Sequence, residues 1–164
     1  MKIVYESNTG HTENYANMLA EKLNLECIPL KQYKIDSEPI IFLGWIFANN
    51  IQGYKKVSDK TNIKCTIAVG MTQADRQNIS EIVKINNVSE KFFYLQGGLD
   101  YTRLKGIKKI MLKMVTKSVI KENRPEDKKL IDIFINGGNF VREENLSEIV
   151  EFYKNVKYKS LITK

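Results

Sequence analysis

Three hydroxyl side chains crowd one short stretch near the start of the chain, Ser7-Asn8-Thr9-Gly10-His11-Thr12, between an apolar run and an amphipathic one. Hydroxyls at such spacing can donate to a phosphate, and a glycine among them lets the backbone approach without a Cβ in the way. With a strand entering and a helix leaving, several backbone N–H groups and a helix N-terminus meet at one point, which attracts an anion. The stretch holds no lysine or arginine. Neutral donors suit a phosphate monoester, whereas a nucleoside triphosphate usually asks for a lysine and Mg²⁺ as well. The stretch is neither GxxxxGK[ST] nor GxGxxG, so it lacks the fingerprints of triphosphate and dinucleotide sites. The plainer alternative is a helix cap, in which Thr9 or Thr12 only satisfies the first turn.

The elements needed to position this loop are readable on either side of it. Lys2 to Glu6 reads as a buried strand, and Thr12 to Leu23 as a helix with Ala16, Leu19, Ala20 and Leu23 on one face. Further apolar stretches at Leu25 to Leu30, Pro39 to Leu43, Lys64 to Gly70 and Phe92 to Leu95 read as strands. Helices are expected weakly near Asn50 to Asp59, then at Asp75 to Ile85, Leu104 to Lys121, Glu126 to Asn136 with a glycine C-cap, and Glu144 to Asn155. Strands alternating with helices predict an α/β domain over residues 1–164, its parallel sheet covered on both faces.

Set at the end of the first strand, the loop resembles the [ST]-x-T-G-x-T phosphate loop of the flavodoxins, with Ser7, Thr9, Gly10 and Thr12 matching. The resemblance implies a doubly wound five-stranded sheet of order 2-1-3-4-5, with FMN at the C-terminal ends of the strands. It assigns the phosphate to Ser7, Asn8, Thr9, Gly10, His11 and Thr12. The flavin ring falls to the loop after the third strand (Trp45, Ile46, Phe47, Ala48, Asn49) and to the loop after the fourth (Gly70, Met71, Thr72, Gln73). Side-chain alternation leads to the expectation that one of Trp45 and Phe47 stacks on the ring, the alternative being a Trp45 packed in the core. Tyr101, delivered by Gly97-Gly98, is a third aromatic candidate. The segment Gly97 to Tyr101 with Leu104 and Lys108 to Met114 also looks like the flavodoxin-like quinone-dependent protoporphyrinogen dehydrogenases. The implied function is an FMN-binding electron carrier serving a redox partner protein or a quinone. The alternative is an FMN-dependent dehydrogenase or quinone reductase of the protoporphyrinogen type. The acidic Trp-Gly-Asp-Gly loop and acidic surface of typical flavodoxins are missing, which puts their usual partners in doubt.

Composition narrows the remaining classes. Of 164 residues 43% are hydrophobic and 27% charged, as in an ordinary water-exposed domain, and no run approaches the length of a membrane span. Met1-Lys2 leads directly into an apolar strand, so no signal peptide is read and a cytoplasmic setting is expected. Cys27 and Cys65 lack CxxC spacing and read as reduced core thiols. A single histidine and no ligand cluster leave little to build a metal site. The net charge of +7 belongs to one segment: Arg103 to Lys129 holds ten basic and three acidic residues, and the rest is formally neutral. Nucleic-acid binding is therefore not expected. Lys105, Lys109, Lys113, Lys117 and Lys121, with Lys108 beside them, form a ridge that is either a solvated face or a contact for an acidic partner or an anionic membrane. Leu104, Ile107, Met111, Met114 and Val115 are expected to hold that helix down or meet lipid.

Overall fold

The computed structural model describes residues 1–104, 106–122, 124 and 127–162, and of Arg76, Lys108 and 159–162 the backbone alone. Strand β1 (Lys2–Glu6) buries Ile3, Val4 and Tyr5 in succession, as a strand covered on both faces must. After it come α1 (His11–Leu23), β2 (Cys27–Pro29), β3 (Ile40–Phe47), β4 (Asn50–Ile51) and β5 (Ile63–Gly70). Then follow α2 (Ile79–Asn86), β6 (Lys91–Gln96), β7 (Gly98–Leu99), α3 (Gly106–Glu122), α4 (Lys128–Asn136), β8 (Gly138–Asn139) and α5 (Ser147–Ile162).

Five strands run parallel in the order β2-β1-β3-β5-β6, the doubly wound order expected for the five main strands. The two-residue β4 was not expected and lies antiparallel against the end of β3. The third strand does not stop at Leu43. Trp45, Ile46 and Phe47 fit a pleated surface and prolong it to Phe47. Ala48 and Asn49, at φ 46° and 61°, then make the tight hairpin turn that folds the chain back. The expected helix near residues 50–59 is a 3-10 turn at Tyr54–Lys56. Helix α2 starts at Ile79, later than the pattern suggested, because the Asn78 side chain caps it by accepting from the Glu81 N–H at 3.1 Å.

Alternate strand residues pack to opposite faces. On one side Ile3, Ile41 and Ile67 meet Tyr15 and Leu19 of α1, with Leu146 of the 3-10 turn before α5 and Ile149 of α5. On the other side Val4, Phe42 and Ala68 meet Tyr54, Val57 and Ile82. A third cluster lies off the sheet: Leu99, Leu104, Ile133 and Phe134 join β7, α3 and α4, with Leu112 and Val119 against them. Of the two expected roles, holding α3 down or meeting lipid, Ile107 and Met114 do not fill the first. They are 72% and 60% exposed, and Leu112 and Val119 take that role. The start of the expected Glu126 helix, like Lys105, lies outside the described residues.

Cys27 on β2 and Cys65 on β5 are both free thiols, separated in the sheet by β1 and β3. Three strand spacings of about 4.8 Å exceed the roughly 7 Å that a disulfide spans between Cα atoms. Burial pushes the Cys65 thiol up to about 12 and the Cys27 thiol up to about 11. Among the described residues no helix is long and apolar enough to cross a membrane.

Candidate functional site

The loop 7–12 turns at Gly10, whose φ of 96° places it in the region that favours glycine. The Gly10 carbonyl accepts the first intrahelical bond of α1 from the Asn14 N–H at 2.9 Å. Ser7 Oγ accepts from the N–H groups of Gly10 and Glu13 at 3.2 and 3.4 Å, so Ser7, rather than Thr9 or Thr12, satisfies this helix end. The N–H groups of His11 and Thr12 belong to the first turn, where the helix offers them no carbonyl. Thr9 and Thr12 line the cleft above the loop, with Thr12 nearly fully buried. Ser7 and Gly10 build the turn beneath it.

His11 lines the cleft above the loop and is also tied to the structure around it. Its Nδ1 lies 3.2 Å from Thr9 Oγ1, and its ring packs against Gly98 beside the Gly138 carbonyl, tying the loop to the β7–β8 ribbon. Burial lowers its proton affinity below the ordinary value, against the opposing influence of Asp100. Neutral imidazole carries one ring proton, so it donates from one ring nitrogen and accepts at the other.

The cleft itself has a volume of about 390 Å³. Asn8, Thr9, His11 and Thr12 of the loop line it, together with Trp45, Ile46, Phe47 and Ala48. Gly70 and Met71 form its floor. Trp45 and Phe47 are both half-buried there, their ring centroids 5.9 Å apart. The expectation that alternation leaves only one of them facing the cleft is corrected: residues two apart on a strand share a face. Trp45 is not in either sheet core.

The 70–73 loop is held from below. Tyr94 Oη donates to the Thr72 carbonyl at 2.7 Å, Gln96 Nε2 to the Met71 carbonyl at 3.1 Å, and the Gly97 N–H to the Gly70 carbonyl at 2.7 Å. A peptide N–H stands opposite its carbonyl, so the amides of Met71, Thr72 and Gln73 turn away from these anchors. Thr72 and Gln73 line an adjoining cavity of about 260 Å³ with Gln96, Ile133 and Phe140. Asn49 is in the hairpin turn and does not line the main cleft. Nor does Tyr101. The ribbon pairing of Gly98 with Asn139 and Leu99 with Gly138 carries it to the end of α4, where it packs near Gly137.

Sequence reasoning missed the opposite wall, which α3 and α4 supply through Met111, Leu112, Val115 and Phe134. The apolar spacing within α3 was visible, but not the end of the sheet it would cover. Also missed was Asn86, buried at the end of α2, which grips the β3–β4 hairpin. Its Oδ1 accepts from the Ile51 N–H at 2.9 Å, and its Nδ2 donates to the Asn49 carbonyl at 2.8 Å.

The fold is thus a doubly wound α/β sheet with a glycine turn and helix N-terminus after β1 and an aromatic-lined cleft at the strand ends, where ligands of such sheets bind. The model of the Flavodoxin domain family matches residues 2–126, and the chain belongs to that family. A solved structure of a flavodoxin from the domain Archaea is 16% identical, with the match covering 58% of this chain and 85% of that one at a TM-score of 0.41. No curated protein matches the sequence.

Proposed function

We propose that the chain binds FMN non-covalently in the cleft between loop 7–12 and the β3–β4 hairpin and passes electrons through it. The observation that carries this reading is the lining of one cleft: the Thr9 and Thr12 hydroxyls at the first turn of α1, together with Trp45 and Phe47. FMN has the matching parts, a phosphate joined to an aromatic ring, and the cleft falls within the usual range of about 300–1,000 Å³ for cofactor sites. When bound, FMN supplies one- and two-electron transfer. The chain's part is to hold and shield it. Thr9 and Thr12 would hold the phosphate, Trp45 and Phe47 would shield the ring, and Gly70 and Met71 are the residues of the 70–73 loop that would meet it. A buried Cys65 and a half-buried Cys27 that cannot pair with each other suit a reducing cytoplasmic setting.

The test is titration with FMN and riboflavin, following flavin fluorescence, for the wild type and Thr9→Ala/Thr12→Ala. Two phosphate donors contribute about 1–3 kcal/mol together, so FMN is expected to weaken about 5- to 150-fold while riboflavin barely changes. Equal losses for both ligands would show that this loop does not hold the phosphate. A second reading, an FMN-dependent dehydrogenase or quinone reductase of the protoporphyrinogen type, is favoured by one observation. The cleft wall from α3 and α4 is apolar, as a small apolar substrate requires. Turnover of a quinone or porphyrinogen by the FMN-loaded protein, with no partner protein, separates that enzyme from a carrier.

A further inference from the structure

Loop 7–12 brings no basic side chain to a dianion, and the residues that open α1 are a histidine kept neutral by burial, a threonine and Glu13. One cation nevertheless lies on the loop. Arg103 arrives from the segment between β7 and α3, and its guanidinium rests against Gly10. A Cβ at Gly10 would overlap Nη1 and stand 3.3 Å from Cζ. A Cβ at position 10 would displace the guanidinium from that approach, which gives Gly10 a second use besides its backbone angle.

Arg103 is held from the other side. Its Nε lies 3.6 Å from Asp100 Oδ2, while the Asp100 carboxylate accepts from the N–H and Oγ1 of Thr102 at 2.9 and 2.6 Å. The carboxylate therefore engages the Nε edge as Nη1 faces the turn. With the carboxylate near the Nε edge, Nη1 is left on the side of the turn, where a guanidinium can donate to a phosphate oxygen. Asp100 does not compete strongly for it, because a half-exposed surface ion pair contributes little. A dianion at the end of α1 offers twice that charge, beside first-turn amides that already favour it.

We propose that Arg103 is the counter-charge for the bound phosphate, reaching across Gly10 from the β7–α3 segment, and that it makes the cleft select a phosphorylated flavin over an unphosphorylated one. This rests on the FMN reading above. It adds a selecting residue to it that lies outside the loop.

The experiment measures dissociation constants of FMN and riboflavin at low and high salt for the wild type, Arg103→Gln, Arg103→Lys and Thr9→Ala/Thr12→Ala. Circular dichroism confirms that each variant is folded. Losing one charge-assisted contact should weaken FMN about 10- to 100-fold in Arg103→Gln, with riboflavin unchanged. Arg103→Lys should restore part of the loss, since it keeps the charge but not the fork. The salt dependence of FMN binding should become shallower in Arg103→Gln. A wild-type ratio of FMN to riboflavin affinity in Arg103→Gln, with the threonine pair still selective for FMN, overturns the role of Arg103 and leaves the loop reading intact. A wild type that binds FMN and riboflavin equally overturns both.

Discussion

Asn86→Ala tests whether the aromatic wall of the cleft is held by a residue outside it. Asn86 is 4% exposed at the C-terminal end of α2 and makes three side-chain hydrogen bonds. The bond to the Ile82 carbonyl is dispensable, because that carbonyl already has its place in the helix. The other two hold the β3–β4 hairpin. Ile51 is 3% exposed, so removing Oδ1 leaves its N–H buried without that partner, at a cost of about 1–3 kcal/mol. The Asn49 carbonyl sits in a half-buried turn that water can reach, and losing its donor costs about 0.5–1 kcal/mol. The turn also carries Ala48 at φ 46°, a conformation costing a non-glycine residue about 1–2 kcal/mol, which persists only while the surroundings impose it. Urea unfolding of Asn86→Ala is therefore expected to show a loss of about 1.5–4 kcal/mol. The amide of Ile51 should exchange faster in native-state hydrogen exchange, and FMN and riboflavin should weaken together, because the ring wall is loosened and the phosphate loop is untouched. A stability change within about 0.5 kcal/mol, with unaltered flavin binding, would refute the view that α2 positions the ring site. Asn86→Asp keeps the acceptor for Ile51 but loses the donor to Asn49, and adds charge to a buried site; it should not be the milder change.

Two further predictions concern charge. Burial keeps the His11 imidazole below its ordinary 6.5, so folding favours the neutral ring. Its contribution to stability is complete above the unfolded value, and falls away as pH drops from about 6.5 toward the folded value. His11→Asn should flatten the pH dependence of Tm in that window, and an unchanged slope there would exclude His11 as its source. On α3, exposed Lys109, Lys113, Lys117 and Lys121 share the outer surface with exposed Ile107, Ile110 and Met114, a mixture suited to an anionic lipid surface. Changing Lys109, Lys113 and Lys117 to glutamine should cut binding to vesicles containing phosphatidylserine by up to about 100-fold, at about 1 kcal/mol per lysine, and remove its salt dependence. No binding by the wild type would mark the ridge as a solvated face.

What the sequence made readable is what depends on neighbours along the chain. The phosphate turn is six consecutive residues, so its hydroxyls, glycine and following helix could be recognised together. The order of the main strands follows from alternation of strand and helix, since parallel neighbours need crossovers of one hand. The extent of β3 was misjudged because Gly44 reads as a break, although its buried position leaves no space for a Cβ beside Ile51 and Gln52. Tyr101 was misplaced because Gly97-Gly98 looked like a hinge toward the sheet edge. Its φ of 146° lets Gly98 enter a two-strand ribbon whose partner, Gly138-Asn139, lies beyond two helices in the sequence.

The remaining contributors, Asn86, Arg103, Met111 and Phe134, reach the site only through tertiary contacts, and their types at those positions carry no periodic signal of it. This divides the cleft in a consistent way. The locally encoded parts, a turn with amides and hydroxyls and a strand end with two aromatics, would hold any small molecule with a phosphate and a flat ring. The parts contributed from a distance set the charge over Gly10, the rigidity of the hairpin and the apolar wall facing Trp45. On the FMN reading, selectivity among flavins and access to the ring would therefore depend on Asn86, Arg103, Met111 and Phe134, and substitutions there should alter flavin preference while leaving the turn at residues 7–12 intact.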